Sequence, residues 1–98
     1  MCYNTFMIKS FIHKGLQKFY EKGSTKGIQF EHAKKIKMRL TALDTARVLE
    51  DIALPGFNLH ELKGDKVGMH SIKVSANWRI TFRFIDGDVE IINYEDYH

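Results

Sequence analysis

Three places in this 98-residue chain hold side chains able to move protons or bind phosphate. His60 stands just before Lys63-Gly64-Asp65, and a histidine beside a lysine and a glycine turn can serve as general acid or base near neutral pH. Lys63, Lys73, Arg79 and Arg83 offer ammonium and guanidinium groups, which supply both charge and hydrogen-bond donors to phosphate oxygens. The last five residues, Tyr94-Glu95-Asp96-Tyr97-His98, concentrate carboxylate, phenol and imidazole just beyond the last expected strand. Such groups can take a proton from an attacking hydroxyl, protonate a leaving oxygen and stack on a base. Each set also has a plainer reading: a strand histidine is more often structural, alternating cations keep a sheet soluble, and chain termini commonly fray.

Other chemistries find less support. None of the five histidines forms an i, i+4 pair, no His-Glu-x-x-His pattern occurs, and no glycine-rich phosphate loop is present. No metal and no nucleotide cofactor is therefore expected. Cys2 is the sole cysteine, so no internal disulfide can form, which fits a reducing cytoplasm. A net charge of +3 suits an anionic partner, nucleic acid or acidic protein, without choosing between them. With 44% hydrophobic residues and one proline, the composition calls for a folded domain rather than a disordered chain. No secretory leader and no apolar run of spanning length stands out, so no membrane role is expected.

The elements that would carry these groups follow from periodicity. Residues 1–6 read as a dispensable N-terminal extension, and 7–98 as one domain opening with a strand from Met7. Lys14 to Lys22, with Leu16, Phe19 and Tyr20 at helical spacing and Gly23 as its stop, predicts a short helix. A longer helix is expected from Phe30 to Leu43, with Ala33, Ile36, Leu40 and Leu43 as its apolar stripe and Lys34, Lys35, Lys37 and Arg39 off it. Asp44-Thr45 could cap a third short helix over Ala46 to Ile52 before Pro55-Gly56 ends the helical half. Strands are expected over Asn58 to Leu62, Met69 to Ser75, Trp78 to Ile85 and Asp88 to Tyr94, with Asp86-Gly87 as a hairpin turn.

In the middle strands Ile72, Val74, Ile80, Phe82 and Phe84 alternate with Lys73, Arg79, Thr81 and Arg83. Helices must cover the apolar face, which leaves the basic face open. Trp78 and Phe82 read as packing residues rather than base-stacking platforms. The expected fold is α+β: a small, mainly antiparallel sheet with two to three helices on one face.

Four ordered blocks now stand out: Leu59-His60-Glu61-Leu62-Lys63-Gly64-Asp65, Gly68-Met69-His70-Ser71-Ile72-Lys73-Val74, Asn77-Trp78-Arg79-Ile80-Thr81-Phe82 and Asp96-Tyr97-His98. Together they resemble the HigB-type host-inhibition toxins of the RelE/ParE superfamily, and the resemblance runs from Met7 to the C-terminus. It implies a RelE-like microbial RNase fold and cleavage of messenger RNA in the ribosomal decoding site. It also implies a HigA-type helix-turn-helix antitoxin as partner, through which alone the toxin would meet DNA. By motif position His60, Asp96, Tyr97 and His98 look like the family's catalytic residues, and Lys63, Lys73 and Arg79 like its phosphate-facing cations. Because one fold hosts several functions, a ParE-like gyrase poison and an inactive toxin-like partner of a repressing antitoxin are the rival readings.

Overall fold

A computed structural model describes residues 8–62, 68–85 and 87–96. Residues 1–6, the start of the expected first strand at Met7, Lys63, the Asp86 half of the hairpin turn, Tyr97 and His98 lie outside the described residues.

Helix α1 spans Lys14–Lys22 and α2 spans Ala33–Thr45; strands β1 (His60–Glu61), β2 (Met69–Ser75), β3 (Trp78–Ile85) and β4 (Asp88–Asp96) follow. The four strands form one antiparallel sheet in the order β1-β2-β3-β4, each paired to its sequence neighbour. Short connections permit only such a meander. The segment before α1 runs parallel to β4 through single bridges at Ile8 and Phe11, where the sequence predicted a full strand. Its backbone still covers the β4 edge, with Lys9 N–H donating to Val89 O at 2.7 Å and Ile12 N–H to Ile92 O at 2.8 Å.

Leu16 from α1, Ile36, Leu40 and Leu43 from α2, and Ile72, Val74, Ile80, Phe82, Val89 and Ile92 from the sheet close one core. The apolar alternation of β3 thus faces the helices, as expected from the period of two. Gly15 allows α1 to settle: a Cβ there would stand 2.6 Å from the Gly27 backbone. Only hydrogen fits that approach.

Three expectations need correction. The long helix opens as a 3-10 turn at Phe30–His32, becomes α-helical at Ala33 and runs on to Thr45, so Asp44 and Thr45 end α2 rather than cap a third helix. Only a 3-10 turn, Leu49–Ile52, remains of that third helix, and the Asp51 carboxylate accepts the Arg47 N–H at 2.9 Å. Arg39, expected on the solvated side, is 7% exposed. Its guanidinium lies 4.4 Å above the Phe57 ring and donates through Nε to Lys73 O at 2.8 Å. Arginine carries both a long apolar stem and a flat cation, so it can fill a core gap that lysine could not close in the same way.

Candidate active site

The face of the sheet turned away from the helices is built by strand parity. Residues directly opposite in an antiparallel pair share a face. His60 stands opposite Ser71, Ser71 opposite Thr81, and Lys73 opposite Arg79, so these five side chains lie on one face, with Arg83 farther along β3. His70, one step out of phase, is buried and stacks on Phe82 with centroids 5.9 Å apart on the helix side.

His60 is exposed on the edge strand, which shrinks to two residues from the five expected. The chain reaches it through Asn58, whose φ of 48° bends the backbone back. Nδ1 of His60 lies 2.6 Å from Asn58 O. A carbonyl can only accept, so Nδ1 carries the hydrogen and the neutral ring keeps its lone pair on Nε2. A ring held at one nitrogen and basic at the other is equipped for proton abstraction.

Lys73 is fixed by its backbone: its N–H donates to Phe57 O at 2.6 Å and its carbonyl receives Arg39, beside a slip of register between Lys73 and Ser75. Arg83 is partly neutralised by Glu90 at 3.7 Å. Arg79 differs, because its Nη1 is buried without a hydrogen-bond partner among the described residues. Directly opposite stands Glu95, whose Oε2 accepts instead from Thr81 Oγ1 at 2.9 Å and Asn93 Nδ2 at 3.2 Å. Asn93 was not singled out from sequence, and Thr81 and Glu95 were named there only as members of the β3 alternation and of the terminal cluster, without a role. Their alternation with Ile80, Ile92 and Tyr94 was the signal that could have found them.

Strand β4 continues to Asp96, so Tyr94, Glu95 and Asp96 are part of the sheet and not of a tail beyond it. Asp96 pairs with Trp78 and therefore takes the helix-side face, while Glu95 takes the open face with Arg79. Tyr94 stacks on Trp78 at 4.5 Å, and its hydroxyl lies 2.6 Å from His32 Nδ1. Burial raises the Tyr94 phenol pKa; the Asp96 charge adds to the rise, and the Gln29 backbone N–H works against it. This packing pins the strand end that leads into Tyr97 and His98. The structure brings His60, Lys73 and Arg79 to one face and puts Asp96 around the edge of it.

Among the described residues no three His, Cys, Asp or Glu side chains gather where a metal ion could be held, and no helix is long and apolar enough to cross a membrane. A cavity of about 450 Å³ lies between α1 and α2, lined by Phe19, Tyr20, Leu40 and Asp44 among others. It belongs to the helix side and shares no residue with the open face.

Residues 9–98 match the family model of a HigB-like toxin, described as the RelE-like toxin of the type II toxin-antitoxin system HigB. The chain is 53% identical over 92 residues to Endoribonuclease HigB of Proteus vulgaris, covering 94% of this chain and 100% of that one. It is 32% identical over 96 residues to Toxin HigB-1 of Vibrio cholerae serotype O1, covering 94% and 98%. A solved structure of the YoeB dimer from Staphylococcus aureus superposes with a TM-score of 0.60 at 19% identity, over 97% of this chain and 99% of that one. At that identity the likeness is one of fold. With nearly the whole chain matched by the family model, and a relative above half identity along its full length, this chain belongs to the HigB-like family of RelE-like toxins of type II toxin–antitoxin systems.

Proposed function

We propose that this toxin is an endoribonuclease that cuts messenger RNA on the ribosome. Its P. vulgaris relative carries the name endoribonuclease, and the chain's own open face carries the groups such a reaction needs. The observation that bears most weight is the gathering of His60, Lys73 and Arg79 on the sheet face turned away from the helices, with Nε2 of His60 unprotonated in the neutral ring.

In the proposed reaction Nε2 of His60 takes the proton of the RNA 2′-hydroxyl, whose oxygen attacks the adjacent phosphorus. The bond to the 5′-oxygen breaks, leaving a 2′,3′-cyclic phosphate on one fragment and, after protonation, a 5′-hydroxyl on the other. The nucleophile belongs to the substrate, so the step calls for no cofactor. Arg79, Lys73 and Lys63 offset the charge that grows on the phosphate oxygens, where fixed donors act most strongly. His98 is assigned the proton given to the departing oxygen and Tyr97 the orientation of a base. Either His60 or Asp96 could serve as the base; Asp96 pairs with Trp78 on the helix-side face, so His60 is the better placed of the two.

A type II toxin has an antitoxin as partner. The antitoxin is taken to be of the HigA helix-turn-helix type, meeting the cationic surface with acidic groups.

Purified protein added to programmed ribosomes carrying a labelled messenger tests the proposal, with primer extension to map the cut and free messenger as control. Ribosome-dependent cleavage, lost by at least a hundredfold in His60→Ala and His98→Ala, is the expected result. Intact messenger in every lane would defeat it.

A further inference from the structure

The geometry points to a second task for the polar strip beside Arg79. We infer that Thr81 and Asn93 are positioning residues that hold Glu95 away from Arg79 and so keep that guanidinium open to a phosphate oxygen of the RNA. This rests on the reading of the open face as the RNA site.

Arg79 and Glu95 stand directly opposite on β3 and β4, the arrangement in which opposite charges ordinarily pair. Here they do not: among the described residues Arg79 keeps a buried Nη1 without a hydrogen-bond partner, and an ion pair on this face joins Arg83 to Glu90. The Glu95 carboxylate is engaged elsewhere, receiving Thr81 Oγ1 and Asn93 Nδ2 on the same oxygen. Thr81 is 2% exposed and β-branched, so its hydroxyl has little freedom to turn away. The orientation of the Asn93 amide is set by a third bond, because its Oδ1 accepts the Tyr94 N–H at 2.9 Å and only its NH₂ is left to face Glu95.

Two donors thus hold the carboxylate that stands directly opposite Arg79. Arg79 as a residue is half-buried and not enclosed, so an anion can approach its side chain, while its buried Nη1, having no acceptor among the described residues, is unfavourable in the empty site. Release of Glu95 would let it swing onto Arg79 and compete with the RNA. The strip therefore acts on the occupancy of the site and not on the chemical step.

The test compares wild type, Thr81→Val, Asn93→Ala and each of these combined with Glu95→Gln, in steady-state cleavage on programmed ribosomes with thermal melting alongside. Thr81→Val keeps the side-chain shape and removes the donor. Expected is a rise in KM on the order of tenfold for Thr81→Val and for Asn93→Ala, with kcat within about twofold, and recovery of most of that loss when Glu95→Gln removes the charge. A merely structural role would leave the double variants as poor as the single ones, which overturns the inference, as would a wild-type KM in both single variants. Arg79→Ala separates the two levels. A raised KM in Arg79→Ala beside unaffected Thr81 and Asn93 variants removes the positioning role alone; an unchanged KM in Arg79→Ala removes the phosphate-site reading beneath it.

Discussion

At the scale of the residue, the molecule places cations according to what surrounds them and not according to their type. Arg39 is buried and Arg79 half-buried; Arg39 finds acceptors for two of its nitrogens, while the buried Nη1 of Arg79 has none among the described residues. Arg39 gives Nε to Lys73 O and Nη1 to Lys35 O and lies over Phe57, with its pKa lowered by burial. It joins α2 to the strand that carries Lys73. Arg39→Ala removes the stacked cation and strands a β2 carbonyl, which should cost about 2–3 kcal/mol and lower the melting temperature by roughly 10 °C or more. A melt within about 2 °C of wild type would show that Arg39 does not hold the two layers together. Arg79, by contrast, leaves an unsatisfied nitrogen at the face where phosphate is proposed to bind. In His60, a single hydrogen bond to a neighbouring carbonyl selects the tautomer.

At the scale of the element, the start of α1 contains a pH-sensitive cap. His13 precedes the helix and its Nδ1 accepts the Leu16 N–H at 3.0 Å, which requires that nitrogen to be unprotonated. Burial lowers the His13 pKa from its ordinary 6.5, with a backbone hydrogen bond opposing. For a histidine depressed in the fold, the stabilisation is present above the unfolded value and is lost as pH falls through the folded one. His13→Ser keeps an acceptor without the titration. The melting temperature of wild type should therefore drop relative to His13→Ser as pH falls below about 6.5, and parallel curves would exclude the cap as the cause. Farther into the same helix, Gly15 meets Gly27 backbone to backbone. Gly15→Ala should destabilise by about 1–3 kcal/mol in spite of alanine's better helix propensity, because a Cβ 2.6 Å from the Gly27 backbone forces α1 off its loop. A more stable variant would mean that the loop gives way freely.

At the scale of the whole molecule, the sheet separates the core from the face where cleavage is proposed. Helices, core and the partly buried α1–α2 contact lie on one side; His60, Lys73 and Arg79 lie on the other. Tyr20 of α1 donates to Asp44 Oδ2 of α2 at 2.6 Å, and burial, followed by that bond and the Asp44 charge, raises its phenol pKa. A raised phenol contributes stability that is whole below the unfolded value of 10.0 and is lost as pH climbs through the folded one. Tyr20→Phe should cost about 1 kcal/mol at neutral pH, and the gap to wild type should narrow above about pH 10. Cleavage on ribosomes should stay within about twofold of wild type at neutral pH, since the contact lies across the sheet from the face where the RNA is proposed to bind. A gap that stays constant to pH 11, or a large loss of cleavage, would show that the two sides are not separate in this way.

What the sequence determined by itself is what repeats over short distances or recurs as a motif. The alternation of β3 told which side chains face the helices, the spacing of Ile36, Leu40 and Leu43 told which side of α2 is buried, and four ordered blocks carried the family. Those patterns are local because pleat and helical turn are local. Tertiary structure decided what depends on partners far along the chain. His32 meets Tyr94 across 62 positions, and Arg39 meets Lys73 across 34, so neither contact leaves a trace in local periodicity. Strand pairing beyond Tyr94 put Glu95 opposite Arg79 and turned Asp96 toward Trp78, although the two carboxylates are adjacent in sequence. A period of two sends neighbours to opposite faces, and only the length of the paired strand says where that period stops.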